Sequence, residues 1–302
     1  MIIGEITPFG KRGPDADLAG MDIVVQARSG LMASMGRMIE GRPAPGDPVI
    51  SDYMAAMSLA FGIGSALYRR ERTGKGGIVD VSLMQSAMTL ANNQLIRHED
   101  RDRESHLAAN ERLRQQRRAG ASFQTQKADL PSVRELALLA IYFRTFATSD
   151  STIAVAAVSP GLQIRFMEAL GLVDKGLQVK VDQVYINDLK AEVEAKLRSA
   201  SSEVWCSRLQ QAGVPVSMVK FPLELFEDAQ AEANNMFEIV EHATAGRLRV
   251  LSPPVKLDKD GFKTRLPTAP FGSETRSLLT ELGMDEDMID DLLASGTSRE
   301  LH

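Results

Sequence analysis

The chain has 302 residues, of which 44% are apolar, and its 35 basic and 40 acidic side chains give a net charge of -5. This acidic balance lacks the basic excess of nucleic-acid-binding proteins and does not favour an anionic lipid surface. The single cysteine, Cys206, cannot form an internal disulfide, and the four histidines show no metal-ligand spacing. The composition favours a cytoplasmic protein with a substantial core and without a metal, nucleic acid or membrane as partner.

The first part of the chain alternates strand and helix patterns. Residues 1–6 predict a strand that ends before a Thr-Pro break, and residues 22–35 predict a helix. A loop rich in glycine and proline, residues 41–48, then leads to Asp52.

Apolar and small residues occupy every face of the segment after Asp52, which predicts a helix enclosed by other elements. Its uncharged stretch, residues 53–68, is shorter than the roughly 20 residues that a membrane span requires, so we interpret it as a buried helix of a soluble protein. Residues 78–83 predict a strand and residues 84–98 a second helix. This order is typical of an α/β architecture.

The second part of the chain begins with a change in composition. Charged residues dominate residues 98–134, which we interpret as a linker. Residues 135–220 predict a smaller α/β domain, with a clear strand candidate at residues 152–158. Residues 221–302 contain helical patterns and a hairpin-like region at residues 237–255.

Asp52 is the strongest catalytic candidate in the sequence. It follows a loop and precedes a helix, which puts its carboxylate at the positive end of the helix dipole, near unpaired backbone N–H groups. The alternative interpretation is a plain helix N-cap, a common use of aspartate. Both interpretations stay open, because the dipole that favours a cap also keeps a carboxylate ionised and available as a nucleophile.

A series of short motifs runs along almost the whole chain, and the stretch over residues 50–83 is the most specific part. In chain order the motifs lie at residues 6–10, 20–22, 26–32, 50–52, 72–76, 79–83, 213–215, 226–228, 236–237, 253–255 and 282–283. Together they resemble the class III CoA-transferase family, which includes formyl-CoA transferase-like enzymes and proteins labelled as carnitine dehydratases.

The resemblance implies a fold of two domains. A Rossmann-like large domain that binds CoA would be discontinuous, built from residues 1–97 and 221–302, and a small α/β domain would follow the linker. Two protomers would interlock like links of a chain as a homodimer. The family normally opens with a strand–helix segment that this sequence lacks, so we expect an N-terminally truncated large domain. A separate chain that supplies this segment is a candidate partner.

The resemblance also implies a reaction. In the family the aspartate that aligns with Asp52 attacks an acyl-CoA thioester, and CoA passes through an aspartyl anhydride and an aspartyl thioester to a small carboxylic acid. CoA thioester is then a substrate, and no cofactor is bound permanently. Thr7, Phe9 and Leu83 align with positions at the CoA site and the reacting centre. For Phe9 and Leu83 core packing is an equal alternative.

Two other functions stay open. An acyl-CoA racemase or isomerase of the same superfamily needs an acid/base pair, and its relatives carry His immediately before the residue that aligns with Asp22. Met21 occupies that position here, so transferase is preferred. The third function is a non-catalytic remnant or partner subunit. The missing N-terminal segment supports this third function. Two further departures from the family are that Ala56 replaces a common glycine and that residues 118–136 show no glycine-rich loop, and the second bears on the detailed transferase mechanism.

Overall fold

The chain forms two compact units, Met1–Glu135 and Leu136–His302. A computed structural model describes residues 1–130, 141–177, 181–242, 245–257, 260–261 and 269–300. Its mixture of helices and strands confirms the predicted α/β class. The linker over residues 98–134 and the return of residues 221–302 to a discontinuous large domain stay predictions.

Unit 1, Met1–Glu135, is built on a βαβ crossover. Strand β1 (Ile2–Thr7) pairs in parallel with β4 (Gly77–Ser82), and Thr7 lies opposite Ser82. Helix α3 (Ile50–Thr73) connects the two strands. Both predicted strands are confirmed, each within one residue of its predicted bounds.

Two short helices and a hairpin precede α3. The helix predicted over residues 22–35 is divided into α1 (Asp22–Arg28) and α2 (Leu31–Met35). The division falls at Gly30, whose φ of 83° lies in the left-handed region that glycine adopts without strain. A hairpin of β2 (Met38–Ile39) and β3 (Arg42–Pro43) follows.

Three α-helices follow β4 in the described part of unit 1. Helix α4 (Leu83–Leu90) is shorter than the predicted span of residues 84–98, because the chain changes to a 3₁₀ turn at Asn92–Gln94. The charged run then forms α5 (Arg103–Arg118), which buries Ala109 and leaves its charged side chains in solvent. Helix α6 (Phe123–Ala128) completes the described part of the unit.

Within the described part of unit 1, helix α3 packs on one side only. Its buried positions are small, with Ala55 and Ala66 among them, and Gly62 lies so close to Val79 of β4 that a β-carbon there would overlap the valine methyl group. Large apolar side chains point the other way and are 57–79% exposed; these are Tyr53, Met57, Phe61 and Tyr68. The prediction of a helix enclosed on every face is wrong, because its small residues serve close packing on one sheet face.

By length and composition α3 is the one helix among the described residues that could cross a membrane. Its position argues against that use. It contacts β1, β4 and α4, as the crossover helix of a parallel strand pair does.

Unit 2, Leu136–His302, contains an antiparallel sheet with the strand order β5 (Phe143–Ala147), β6 (Thr152–Ala156) and β7 (Val216–Met218). Helices α7 (Pro160–Leu170), α8 (Gln183–Leu197) and α9 (Ser202–Gln211) pack with it. Their apolar faces enclose one core, whose fully buried members include Phe166, Leu170, Val193, Leu197, Trp205 and Leu209.

The last part of unit 2 begins with a 3₁₀ turn, Pro222–Glu227, and α10 (Ala229–Ala233). The single helix predicted around residues 223–234 is wrong in extent, because Asp228 caps α10 by accepting from the Ala231 N–H and so starts a new helix. The remaining elements, in chain order, are β8 (Phe237–His242), β9 (Gly246–Leu251), β10 (Lys256–Leu257), β11 (Asp260–Gly261), α11 (Thr275–Glu281) and α12 (Glu286–Ala294). The predicted hairpin corresponds to β8 and β9.

Candidate active site

The predicted site residues of unit 1 meet at one edge of its parallel strand pair. A crossover helix runs antiparallel to the strands that it joins, so the first turn of α3 lies where β1 and β4 end. Thr7 is the last residue of β1, Leu83 directly follows β4, and Asp52 lies in the first turn of α3. Ligands of open α/β sheets bind at this carboxyl edge.

The carboxylate of Asp52 is exposed and has neither a hydrogen bond nor an ion pair among the described residues. Asp52 is the third residue of α3, and Val49 occupies the N-cap position. The plain N-cap interpretation is therefore wrong. Asp52 does not cap this helix because the carboxylate of Asp22 accepts the hydrogen bond of the Ser51 N–H in the first turn.

Two effects raise the pKa of Asp52 above its ordinary value. Desolvation of the carboxyl group is the larger, and the negative charge of Asp22 is the second. A partly desolvated carboxylate that has no hydrogen-bond partner among the described residues keeps its lone pairs available for attack on a carbonyl carbon. The dipole of α3 favours negative charge at the same place.

Asp22 and Gln26 lie behind Asp52 and were not predicted as site residues. Asp22 is 7% exposed and Gln26 is fully buried. The Asp22 Oδ1 atom accepts from the Ser51 N–H at 2.8 Å, and Oδ2 accepts from Gln26 Nε2. Gln26 Oε1 accepts from the Gly46 N–H at 2.9 Å. Their i, i+4 spacing in an apolar helix is the sequence signal that could have pointed to this pair.

The other predicted site residues have structural contacts of their own. Thr7 Oγ1 accepts from the Gly10 N–H at 3.1 Å. Phe9 and Leu83 are partly buried against an apolar cluster formed by Val25, Leu31, Ala87 and Ala91. Core packing is thus observed for Phe9 and Leu83, while contact of these three residues with CoA stays a prediction.

The described residues contain no group of three or more His, Cys, Asp or Glu side chains that could hold a metal ion. The chemistry that this edge offers through its own side chains is that of the Asp52 carboxylate. Such a group can act as a nucleophile or exchange a proton.

Comparison with known proteins defines the class of protein. Residues 1–275 match the sequence model of CoA-transferase family III, and the chain belongs to this family. The fold agrees with this, since the crystal structure of Rv3272 from Mycobacterium tuberculosis is similar with a TM-score of 0.68. That alignment covers 92% of this chain and 68% of the other, at 22% sequence identity.

Curated relatives within this class are named CoA-transferases. The chain is 24% identical to cinnamoyl-CoA:phenyllactate CoA-transferase of Clostridium sporogenes, over 97% of this chain and 67% of the relative. It is also 24% identical to succinyl-CoA:glutarate CoA-transferase of Mus musculus, over 98% of this chain and 63% of the relative. The chain therefore spans about two thirds of the length of these relatives.

Proposed function

We propose that this chain transfers CoA from an acyl-CoA donor to a carboxylic acid acceptor, with Asp52 as the nucleophile. The observation that carries the proposal is the exposed carboxylate of Asp52 in the first turn of α3, at the carboxyl edge of β1 and β4, where no described residue pairs with it. Membership in CoA-transferase family III and the names of the relatives support the reaction class.

The reaction proceeds by four acyl exchanges that each conserve charge. An oxygen of Asp52 attacks the donor thioester carbon, the C–S bond breaks, and CoA thiolate leaves a mixed anhydride on the enzyme. The thiolate attacks the Asp52 carbonyl carbon, which releases the donor as a carboxylate and gives an aspartyl thioester. The acceptor carboxylate then displaces the thiolate from this carbon. Finally, the thiolate attacks the acceptor carbonyl and restores Asp52.

The position of Asp52 assists these steps electrostatically. Each exchange passes through a tetrahedral intermediate with negative charge on the former carbonyl oxygen. The positive end of the α3 dipole lies beside the reacting carboxyl group and stabilises this charge. Partial desolvation of Asp52 acts in the same direction, because fewer water molecules have to leave before attack.

The CoA thioester is bound as a substrate, and we assign its contacts to Thr7, Phe9 and Leu83. These residues share the strand edge with Asp52, because Thr7 ends β1, Phe9 lies two residues beyond it and Leu83 directly follows β4. The working form in this proposal is a cytoplasmic homodimer. Multi-angle light scattering of the purified chain measures its mass in solution, and a monomer at micromolar concentration would contradict the dimer.

Transferase chemistry fits this site better than racemase chemistry. A racemase moves a proton at the α-carbon and requires an acid and a base that face each other across the substrate. The residue before Asp22 is Met21, which is 73% exposed and cannot exchange a proton. Asp22 itself is engaged in hydrogen bonds to Ser51 and Gln26.

The decisive experiment traps the acyl-enzyme. The chain is incubated with cinnamoyl-CoA or succinyl-CoA and then with hydroxylamine, which converts an activated aspartyl group into a hydroxamate. Peptide mass spectrometry should place the hydroxamate on Asp52. The variant Asp52→Asn should show no hydroxamate and no transfer, because an amide oxygen is a poor nucleophile.

Asp47→Asn is the matched control, since Asp47 is an exposed carboxylate five positions earlier, in the loop that leads into α3. It should be labelled at Asp52 like the wild type. A hydroxamate on another residue would contradict the assignment of Asp52. Absence of any label, with both acyl-CoA donors, would favour the non-catalytic alternative.

A further inference from the structure

The segment that leads into Asp52, residues 46–51, is tied to α1 at both of its ends. At one end the Gly46 N–H donates to Gln26 Oε1 at 2.9 Å, and at the other the Ser51 N–H donates to Asp22 Oδ1 at 2.8 Å. Gln26 Nε2 also donates to Asp22 Oδ2, so the two side chains form one connected network. The network therefore fixes both ends of the loop that delivers the candidate nucleophile.

Burial makes this network specific. Asp22 and Gln26 are 7% and 0% exposed, and among the described residues no cation pairs with Asp22. A buried polar atom that loses its partner is not compensated by water, so the loop conformation that satisfies all these atoms is strongly preferred. The side chain of Ser51 provides no alternative anchor, since its buried Oγ atom has no hydrogen-bond partner among the described residues.

The network is also seated on a rigid base. Val25, which lies between the two residues in α1, is fully buried in the apolar cluster of Leu31, Ala87 and Ala91. Apolar packing on one face of α1 thus holds its polar face in place. Helix α1 contacts both α3 and α4, which bound the candidate site.

We propose that Asp22 and Gln26 are positioning residues that hold Asp52 in its attacking orientation through the amides of Ser51 and Gly46. The proposal rests on the proposed role of Asp52 as nucleophile. Asp22 and Gln26 do not touch the substrate in this proposal. They act through the backbone, because the Ile50–Ser51 peptide unit, one residue before Asp52, can rotate only if the Ser51 N–H leaves Asp22.

Swapping the carboxylate and the amide between positions 22 and 26 tests the network without changing its size or net charge. In Asp22→Asn the new amide nitrogen faces the Gln26 amide nitrogen, so two donors oppose each other. In Gln26→Glu two carboxylates oppose each other. When both substitutions are combined, the amide oxygen at position 22 accepts from the Ser51 N–H. The amide nitrogen at position 22 donates to the carboxylate at position 26, which accepts from the Gly46 N–H.

We expect each single variant to lower kcat by about tenfold or more, since small displacements of reacting groups have effects of that size. The KM for the acyl-CoA should stay within about twofold of the wild type, because neither residue contacts the substrate. The combined variant should recover most of kcat. Asp17→Asn, which removes an exposed carboxylate five positions before Asp22, is the control for charge alone.

Amide hydrogen exchange at Ser51 and Gly46 is the second readout, and it does not depend on activity. Exchange should be faster at one or both amides in each single variant and slow again in the combined variant. A purely structural role would lower the melting temperature of the single variants and leave kcat of the folded fraction unchanged. Unchanged kcat in both single variants, or no recovery in a folded combined variant, would overturn the proposal.

The two proposals fail in different ways. If Asp52 is not the nucleophile, the wild-type chain gives no hydroxamate at Asp52, while the exchange pattern at Ser51 and Gly46 still reports on the network. If the network does not position Asp52, the wild type is labelled at Asp52 and the single variants are labelled at the same rate. An unchanged exchange pattern in all variants would reject the network itself.

Discussion

The two units of the chain differ in how they use apolar residues. Unit 2 encloses a core in which Phe166, Trp205 and Leu209 are almost inaccessible to solvent. In the described part of unit 1 the buried apolar cluster is small, and α3 leaves a row of large apolar side chains exposed. The candidate nucleophile lies in the unit with the smaller core, where hydrogen bonds to Asp22 and Gln26 hold the segment that leads into Asp52.

The largest expected effect is in the core of unit 2. Phe166→Ala should lower the free energy of unfolding of this unit by about 3–5 kcal/mol, because a fully buried ring leaves a cavity in a closed core. The fluorescence of Trp205, the single tryptophan of the chain, reports on this unit during denaturant unfolding.

Val25→Ala in unit 1 is the control for that comparison. It removes two buried methyl groups from the small cluster and should leave the midpoint of the Trp205 transition unchanged. An equal shift of that midpoint in both variants would show that the two units unfold as one cooperative body.

The next effect concerns the close contact of α3 with the sheet in unit 1. Gly62→Val should cost about 1–3 kcal/mol, because the new side chain would overlap Val79. Gly64→Ala is the matched variant in the same helix, where a β-carbon would meet open space. It should gain about 0.5–1 kcal/mol from helix propensity. Hydrogen exchange of α3 peptides measures both changes in stability. A change in the same direction in both variants would contradict the close contact of Gly62 with Val79.

Buried serines should respond in opposite directions in the two units. Ser51→Ala in unit 1 should raise the free energy of unfolding by about 1 kcal/mol, because it removes a buried hydroxyl that has no partner among the described residues. Ser202→Ala in unit 2 should lower it by about 1 kcal/mol, because the Ser202 hydroxyl contacts Met218 Sδ at 3.4 Å. Thermal unfolding, monitored by hydrogen exchange in each unit, measures whether each variant gains or loses stability. A loss in both variants would show that the Ser51 hydroxyl has a partner in solution.

The smallest effect follows from the raised pKa of Asp52. A carboxyl group that binds its proton more tightly in the folded than in the unfolded state contributes stability at low pH, and this is lost as pH rises through the folded pKa. At neutral pH the ionised Asp52 therefore costs stability. At neutral pH, Asp52→Asn should raise the free energy of unfolding by less than about 1 kcal/mol, since solvent screens the exposed carboxyl group.

The gain in Asp52→Asn should disappear well below pH 3.8, the ordinary pKa of the carboxyl group. Hydrogen exchange of unit 1 at several pH values measures this dependence. Asp47→Asn, which removes an exposed carboxylate that pairs with Arg37 in the loop before α3, should show no such gain at neutral pH. A loss of stability in Asp52→Asn at pH 7 would mean that the carboxylate has a stabilising partner.

Local sequence patterns were sufficient for the elements that position the site. β-Branched residues predicted β1 and β4, and a loop followed by a helix placed Asp52 at the start of α3. The burial of α3 was predicted wrongly, because a pattern of small and apolar residues cannot distinguish close packing on one face from enclosure on all faces. The network of Asp22 with Ser51 could not be predicted, since the two residues are 29 positions apart and meet only in the folded unit.

The parallel pairing of β1 with β4 also sets the order in which the molecule acquires its shape. Ile2 pairs with Gly77, so the sheet edge that presents Asp52 requires closure of a loop of about 75 residues. The hairpin of β8 and β9 joins His242 to Gly246 and needs almost no loop closure. Contacts between distant residues form slowly, so pulse-labelling during refolding should protect the amides of the hairpin well before those of β1. A newly made chain therefore acquires the geometry around Asp52 after its local hairpins.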